Sequence, residues 1–406
     1  MSFHIRRDYS AVPVLMFHSI GIKGLPWIWS DMSEDVEVFR GVLEGLAADG
    51  YRTVTLEDLY AYMAGRTGLP EKPVVLTFDD GYLDNWINAV PLLRDHGMRA
   101  TVYVTPEFVP DSSVLCGAGT DDEANQRAEA GQDVAGFMSW RELRAADTEG
   151  VLDVQSHALT HTWYFAGPRI VDIHKPADIY PYPWMSWNAN PDRKPYYLTE
   201  NQQALVPWGH PVLEHEKALI VRRYVPDQHY IGEVCQFVHE RGGAQFFRDE
   251  NWKRSLSDRF PAIGGAAEIP GTIESESAYQ ARVRHELASS KEIIESRLRK
   301  TVEFLAWPGG GVNETAAGLA RNVGYKSWTL SSWQERHKKN RPGADPEGIK
   351  RVTGRSKVFF RSKWIANGGA WWVLHRLRAH QGSIASKMAT AGMKLKWLTL
   401  GGREVR

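Results

Sequence analysis

The 406-residue chain has two cysteines, Cys116 and Cys235, so no disulfide framework can staple it. That scarcity argues against a small secreted disulfide scaffold and fits a reducing compartment. Net charge is also absent. The 49 Lys and Arg balance 49 Asp and Glu, which gives no reason to expect nucleic acid as a partner. No run approaches the roughly 18 to 20 apolar residues of a membrane span. Residues 1–8 hold neither an apolar core nor a cleavage site for export, so a cytoplasmic location is expected. Gly309-Gly310-Gly311 is not followed by Lys-Ser or Lys-Thr, and the lysine of 343–350 is wrongly spaced. A phosphate loop, and with it a nucleotide cofactor, is therefore not expected.

What is present is a repeated alternation of strand and helix. Residues 12–18 read as a buried strand ending in His18, and 34–49 as a helix stopped by Gly50. Residues 52–55 form a short strand, and 56–64 a helix capped by Thr55. Residues 74–78 (VVLTF) have the apolar, β-branched character of a strand buried on both faces. A helix over 85–96, a strand over 100–104, a helix opened by Ser139 and Glu142 and a strand over 151–155 follow. Residues 111–135 read as an exposed loop. The pattern resumes with a helix over 279–300, a strand over 301–307, a helix over 316–323 and a strand over 326–330. Such alternation predicts a parallel sheet wrapped by helices.

Two stretches carry chemistry. Asp79 and Asp80 stand where the 74–78 strand ends, the place where open α/β sheets and barrels keep their reactive groups. His157 and His161 follow the 151–155 strand, four residues apart. Two imidazoles and one carboxylate can bind a divalent first-row metal and leave positions open. The neighbouring carboxylate is then left to take a proton as a general base. These stretches, Thr77-Phe78-Asp79-Asp80-Gly81 and His157-Ala158-Leu159-Thr160-His161, resemble the T-F-D-D-G and H-x-x-[ST]-H motifs of the polysaccharide deacetylases, the NodB-homology group of carbohydrate esterase family 4. Trp307-Pro308-Gly309-Gly310 is similar to the family's third motif.

The resemblance implies a distorted (β/α) barrel carrying a large irregular insertion. It makes Asp80, His157 and His161 the metal ligands and Asp79 the base. Trp307, Pro308 and Gly309 become substrate-binding residues, with the Gly309 amide as the oxyanion donor. It implies one divalent ion, zinc by ligand type, with cobalt, nickel or manganese as alternatives. The chain divides on this reading into barrel residues 1–162, an insertion 163–275 over the site, further barrel residues 276–335 and an extension 336–406. Two departures stand out. Ala306 occupies the position where many members have an arginine that orients the base, which leaves the partner of Asp79 open. Leu374-His375 falls one residue short of the family's late L-x-H motif. His210, His215 and His229 are then further candidates for the general acid.

The insertion is rich in Trp and Tyr, which suits either a packed cap or a platform for sugar rings. From Lys350 onward the chain has thirteen Lys and Arg against one acid, Glu404, a net of about +12. With four tryptophans in the same stretch, peripheral contact with an anionic membrane through 350–406 is expected, at the inner face. The expected activity is removal of an N-acetyl group from an amino sugar in a cell-envelope glycan precursor, carried on a lipid. The alternatives are hydrolysis of a cyclic amide or imide, and carbohydrate binding by a vestigial site.

Overall fold

The structure, a computed structural model, describes residues 8–111, 134–330, 334–335, 337–360, 363–366, 368–400 and 403–404. Its main strands are β1 (Val14–Phe17), β2 (Arg52–Thr53), β3 (Pro73–Phe78), β4 (Ala100–Val104), β5 (Leu152–Ser156), β6 (Trp163–Ile173), β7 (Pro211–Lys217), β8 (Phe304–Ala306), β9 (Ser327–Leu330), β10 (Gly348–Lys350) and β11 (Val352–Thr353). Between them lie α1 (Val36–Ala48), α2 (Leu56–Met63), α3 (Val90–Asp95), α4 (Trp140–Glu149), α5 (Pro183–Ala189), α6 (Gln228–Glu240), α7 (Glu276–Leu298) and α8 (Glu314–Val323). Two helices, α9 (Gly369–His380) and α10 (Ile384–Leu400), come after the last of these strands.

Nine strands form one sheet in the order β10-β9-β8-β5-β4-β3-β1-β11, with β2 added beside β3. All their pairings are parallel. The strands at the two ends, β10 and β11, are separated in sequence by Arg351 alone. One continuous segment thus spans the gap between the sheet's edges and nearly closes a distorted (β/α) barrel.

The continuous apolar run of β3 is explained by its position. Val75 faces inward with Tyr103, Phe304 and Ile349. Val74, Leu76 and Phe78 face outward into the layer filled by Phe39, Leu43 and Leu46 of α1. Both faces are dry, so alternation has no cause to appear. Local caps agree with the residues: Thr55 and Ser139 each form a capping box, with Asp58 and Glu142.

Several expectations need correction. The strand expected over 301–307 is confined to Phe304–Ala306. The helix expected over 85–96 opens as a π-helical turn, Asn85–Ala89, before α3. The insertion is more regular than its sequence suggests, since β6 and β7 pair antiparallel with bulges between Phe165 and Asp172. Gly167 and Pro168 interrupt the alternation that would have marked β6. Residues 336–406 are also more than an extension: β10 and β11 complete the barrel, and α9 buries Trp372, Val373, Leu374 and Leu377. Most of the loop expected over 111–135 lies outside the described residues. No described helix is long and apolar enough to cross a membrane.

Candidate active site

At the carboxyl end of β3 the chain turns sharply. Asp80 has φ +73° and Gly81 +77°, and a Cβ on Gly81 would stand 3.0 Å from Val104 Cγ1. A non-glycine residue in the left-handed region is a cost that packing must offset, and such residues gather at functional sites. His161, at φ +46°, is another. Two strands along the sheet, beyond β4, β5 presents His157, whose amide donates to Val104 O of β4 at 2.8 Å.

The three expected ligands meet. His157 Nε2 and His161 Nε2 each lie 3.3 Å from Asp80 Oδ1. His157 Nδ1 is 2.7 Å from Ala306 O; a carbonyl can only accept, so Nδ1 carries the hydrogen and Nε2 is left facing Asp80. Asp80 Oδ1 is buried without a hydrogen-bond partner. Burial pushes the His161 pKa down to about 4, which keeps it in the neutral form that ligates metals. Burial also opposes charge on Asp80, but the two imidazoles outweigh it and hold the carboxyl well below the usual range. A buried anionic oxygen with no donor of its own, facing two imidazole nitrogens, fits a divalent cation.

Asp79 is not part of that cluster. Its Oδ1 accepts from Arg351 Nη1 at 2.6 Å, and both side chains are 4% exposed. Burial alone would raise the Asp79 pKa, but the Arg351 guanidinium beside it brings it below the ordinary value. The arginine absent at Ala306 is thus replaced from the segment that closes the barrel. His18, at the end of β1, sits with Nε2 3.8 Å from Asp79 Oδ2, and burial lowers its pKa.

These groups line a cavity of about 220 Å³ walled by Trp29, Trp163, Trp187 and Trp307. Trp29 and Trp163 stack at 5.9 Å with 17° between their planes. The insertion is both packed cap and pocket wall: Trp184 and Met185 are buried against the barrel mouth, while Trp163 and Trp187 face the pocket. Gly309, at φ +56°, also lines it, whereas Pro308 faces a small void behind. The other histidines are elsewhere. His375 Nδ1 meets Ser386 Oγ, His210 Nδ1 meets Pro211 O, His215 Nδ1 meets Leu213 O, and His229 is exposed on α6.

A second set of buried groups holds the histidine loop from behind. Glu286 of α7 accepts from Thr160 N at 3.1 Å and Thr160 Oγ1 at 2.8 Å. Lys194, 1% exposed, bonds Thr160 O and pairs with Glu107 Oε2 at 2.8 Å. Its ammonium lies 5.3 Å and 5.4 Å from the ring centres of Phe108 and Trp187. Neither Lys194 nor Arg351 is marked in the sequence, since each acts on a residue remote in the chain.

Residues 66–211 match the family described as polysaccharide deacetylase. Over 120 residues the chain is 28% identical to YxkH of Bacillus subtilis (strain 168), whose name assigns it provisionally to the polysaccharide deacetylases. Over 135 residues it is 27% identical to the poly-β-1,6-N-acetyl-D-glucosamine N-deacetylase of Escherichia coli (strain K12). These stretches cover 30% and 32% of this chain, but only 39% and 18% of those relatives. In fold, it resembles a de-N-acetylase from Aggregatibacter actinomycetemcomitans at 16% identity, covering 84% of this chain and 94% of the other, with a TM-score of 0.50. The BpsB deacetylase domain of Bordetella bronchiseptica is similar at 18% identity, 86% and 97% coverage and a TM-score of 0.50. The matched region contains Asp79, Asp80, His157 and His161.

Proposed function

We propose that the chain is a metal-dependent hydrolase that removes the N-acetyl group from an amino sugar of a cell-envelope glycan. The observation that carries this is the division between the two adjacent aspartates. Asp80 converges with His157 and His161, while Asp79 is held ionised by Arg351 within the same pocket. A divalent ion at Asp80, His157 and His161 would supply Lewis acidity, polarising an amide carbonyl and acidifying a water molecule.

The chain's own residues do the rest. Asp79 accepts the proton of the attacking water, and Arg351 keeps it ionised and aimed. The water oxygen adds to the acetyl carbon, and collapse of the adduct breaks the C–N bond. His18, beside Asp79, passes the proton to the departing amine, so acetate and a free amine result. The amides of Gly310 and Gly311 donate to Trp307 O and Pro308 O, which leaves the Gly309 amide as the donor for the carbonyl oxygen. The tryptophan walls suit a pyranose ring and exclude water.

Names of relatives support N-acetylglucosamine as the sugar. A lipid-linked form of it rests on α10, which exposes Ile384 and Met388 beside Lys387 in a stretch of excess positive charge. Release of acetate from N-acetylglucosamine oligomers tests the reading. Activity should vanish with chelator and return with zinc, cobalt, nickel or manganese. A fully metal-loaded protein that releases no acetate from any oligomer would end it.

A further inference from the structure

Beyond the pocket of the two aspartates lies a second cavity of about 240 Å³, between the loop at 25–28 and the insertion. The two cavities share Trp187 and Tyr197 as a common wall. Its lining includes Trp27 and Tyr180, the carboxylates of Asp178 and Glu200, and no Lys or Arg. Gln202, 7% exposed, lines it too, and its Oε1 has no hydrogen-bond partner. Trp187 Nε1, in the shared wall, is likewise buried and unpartnered. Buried polar groups are nearly always satisfied, so a pair left open beside a cavity points to a ligand that completes them.

We infer that this cavity is a second saccharide subsite, and that it takes an amino-sugar unit whose amine is already free. The inference rests on the reading of the chain as a deacetylase. Trp27 and Tyr180 offer apolar faces to a pyranose ring, and Gln202 Oε1 accepts from its hydroxyls or amine. An ammonium group is favoured by Asp178, which is exposed at the rim, and by Glu200, which it would share with Arg193. An acetamide carries no charge and gains nothing from either. Because one wall separates the two cavities, a glycan could place one unit at Asp79 and a nearby unit here. Deacetylation would then proceed preferentially beside units that have already reacted.

The experiment is calorimetric titration of the metal-loaded Asp79→Asn protein, which binds without turning over. The probes are two tetramers, one fully N-acetylated and one carrying a single N-acetyl group among free amines. The second should bind about three- to five-fold more tightly, the scale of a solvent-exposed charge pair. Asp178→Asn and Glu200→Gln should each narrow that difference, and the double variant should erase it. Equal affinities in the parent protein, or a preference unchanged in the double variant, would overturn the inference. Absence of acetate release by the wild type, with this binding preference intact, would instead count against the deacetylase reading alone.

Discussion

Arg351 Nη1 stands 2.6 Å from Asp79 Oδ1, although 272 residues separate the two in the chain. The contact exists because Arg351 is the single residue between β10 and β11, where the barrel closes. Closure of the sheet and the pairing of Asp79 with a cation are therefore one structural event. Arg351→Met should lower kcat/KM by at least tenfold. It should also move the acidic limb of the pH profile upward. The sign follows from the pair: Arg351 lowers the Asp79 pKa, so its removal lets burial raise it, and the base is protonated at higher pH. A pH–rate profile with an unmoved acidic limb would disconnect Arg351 from the base. Removing one partner of a buried pair also destabilises, by about 3–5 kcal/mol, so thermal unfolding must be measured beside activity.

The two aspartates should separate in experiment as they do in space. Asp79→Asn should retain the divalent ion and lose about two to four decades of turnover, the usual contribution of general-base catalysis. His157→Ala removes a ligand and should lose the ion. Metal analysis of both purified proteins, with acetate release measured in parallel, decides between these roles. A metal-free Asp79→Asn protein, or a fully loaded His157→Ala protein, would contradict the assignment.

Lys194 ties the candidate metal site to the insertion. Its ammonium holds Thr160 O, one residue before His161, and pairs with Glu107. Lys194→Met keeps the bulk of the stem and removes the charge. Partners that orient metal ligands typically contribute 10- to 100-fold to affinity, so metal binding should weaken by about that factor. Competition with a chelator of known affinity measures it directly. Unchanged affinity would make Lys194 a packing residue only.

Much of this site was legible in the sequence because it is built from strand ends. The apolar run before Asp79 marks a buried strand, and a carboxylate at its end has one place to be. His157 and His161 follow the same rule at β5. What escaped was contributed from far along the chain or from irregular segments. Arg351 lies between two short strands, in a net-basic neighbourhood that reads as surface. Trp163 opens β6, where Gly167, Pro168 and a register shift hide the alternation. His18 was visible as a strand-end histidine, but nothing in its neighbours signalled that β1 pairs with β3 and brings it to Asp79. His375, His210 and His215 had the right chemistry and the wrong location, since none lines the pocket of the two aspartates and the Nδ1 of each meets a nearby group.

The basic C-terminal stretch leads to the last prediction. Truncation before Trp371 is a poor test of membrane contact, because it would remove Trp372, Val373, Leu374 and Leu377 from the layer against α1 and β11. The better target is α10, where Ile384 and Met388 are 47% and 70% exposed, one turn apart, with exposed Lys387 and Lys394 nearby. Apolar side chains flanked by lysines suit the interface of an anionic bilayer, where each nearby cation contributes about 1 kcal/mol. Co-sedimentation with phosphatidylglycerol-rich vesicles should be strong at low salt and weaken as salt screens the charges. Ile384→Asn with Met388→Asn should reduce it, and Lys387→Glu with Lys394→Glu should abolish it, while thermal unfolding stays unchanged. Neutral phosphatidylcholine vesicles should bind poorly throughout. If the wild type fails to sediment with anionic vesicles, or the charge-reversed protein sediments equally well, α10 is not a membrane contact. A lipid-linked acceptor would then lose its support, and a soluble glycan would be the substrate to pursue.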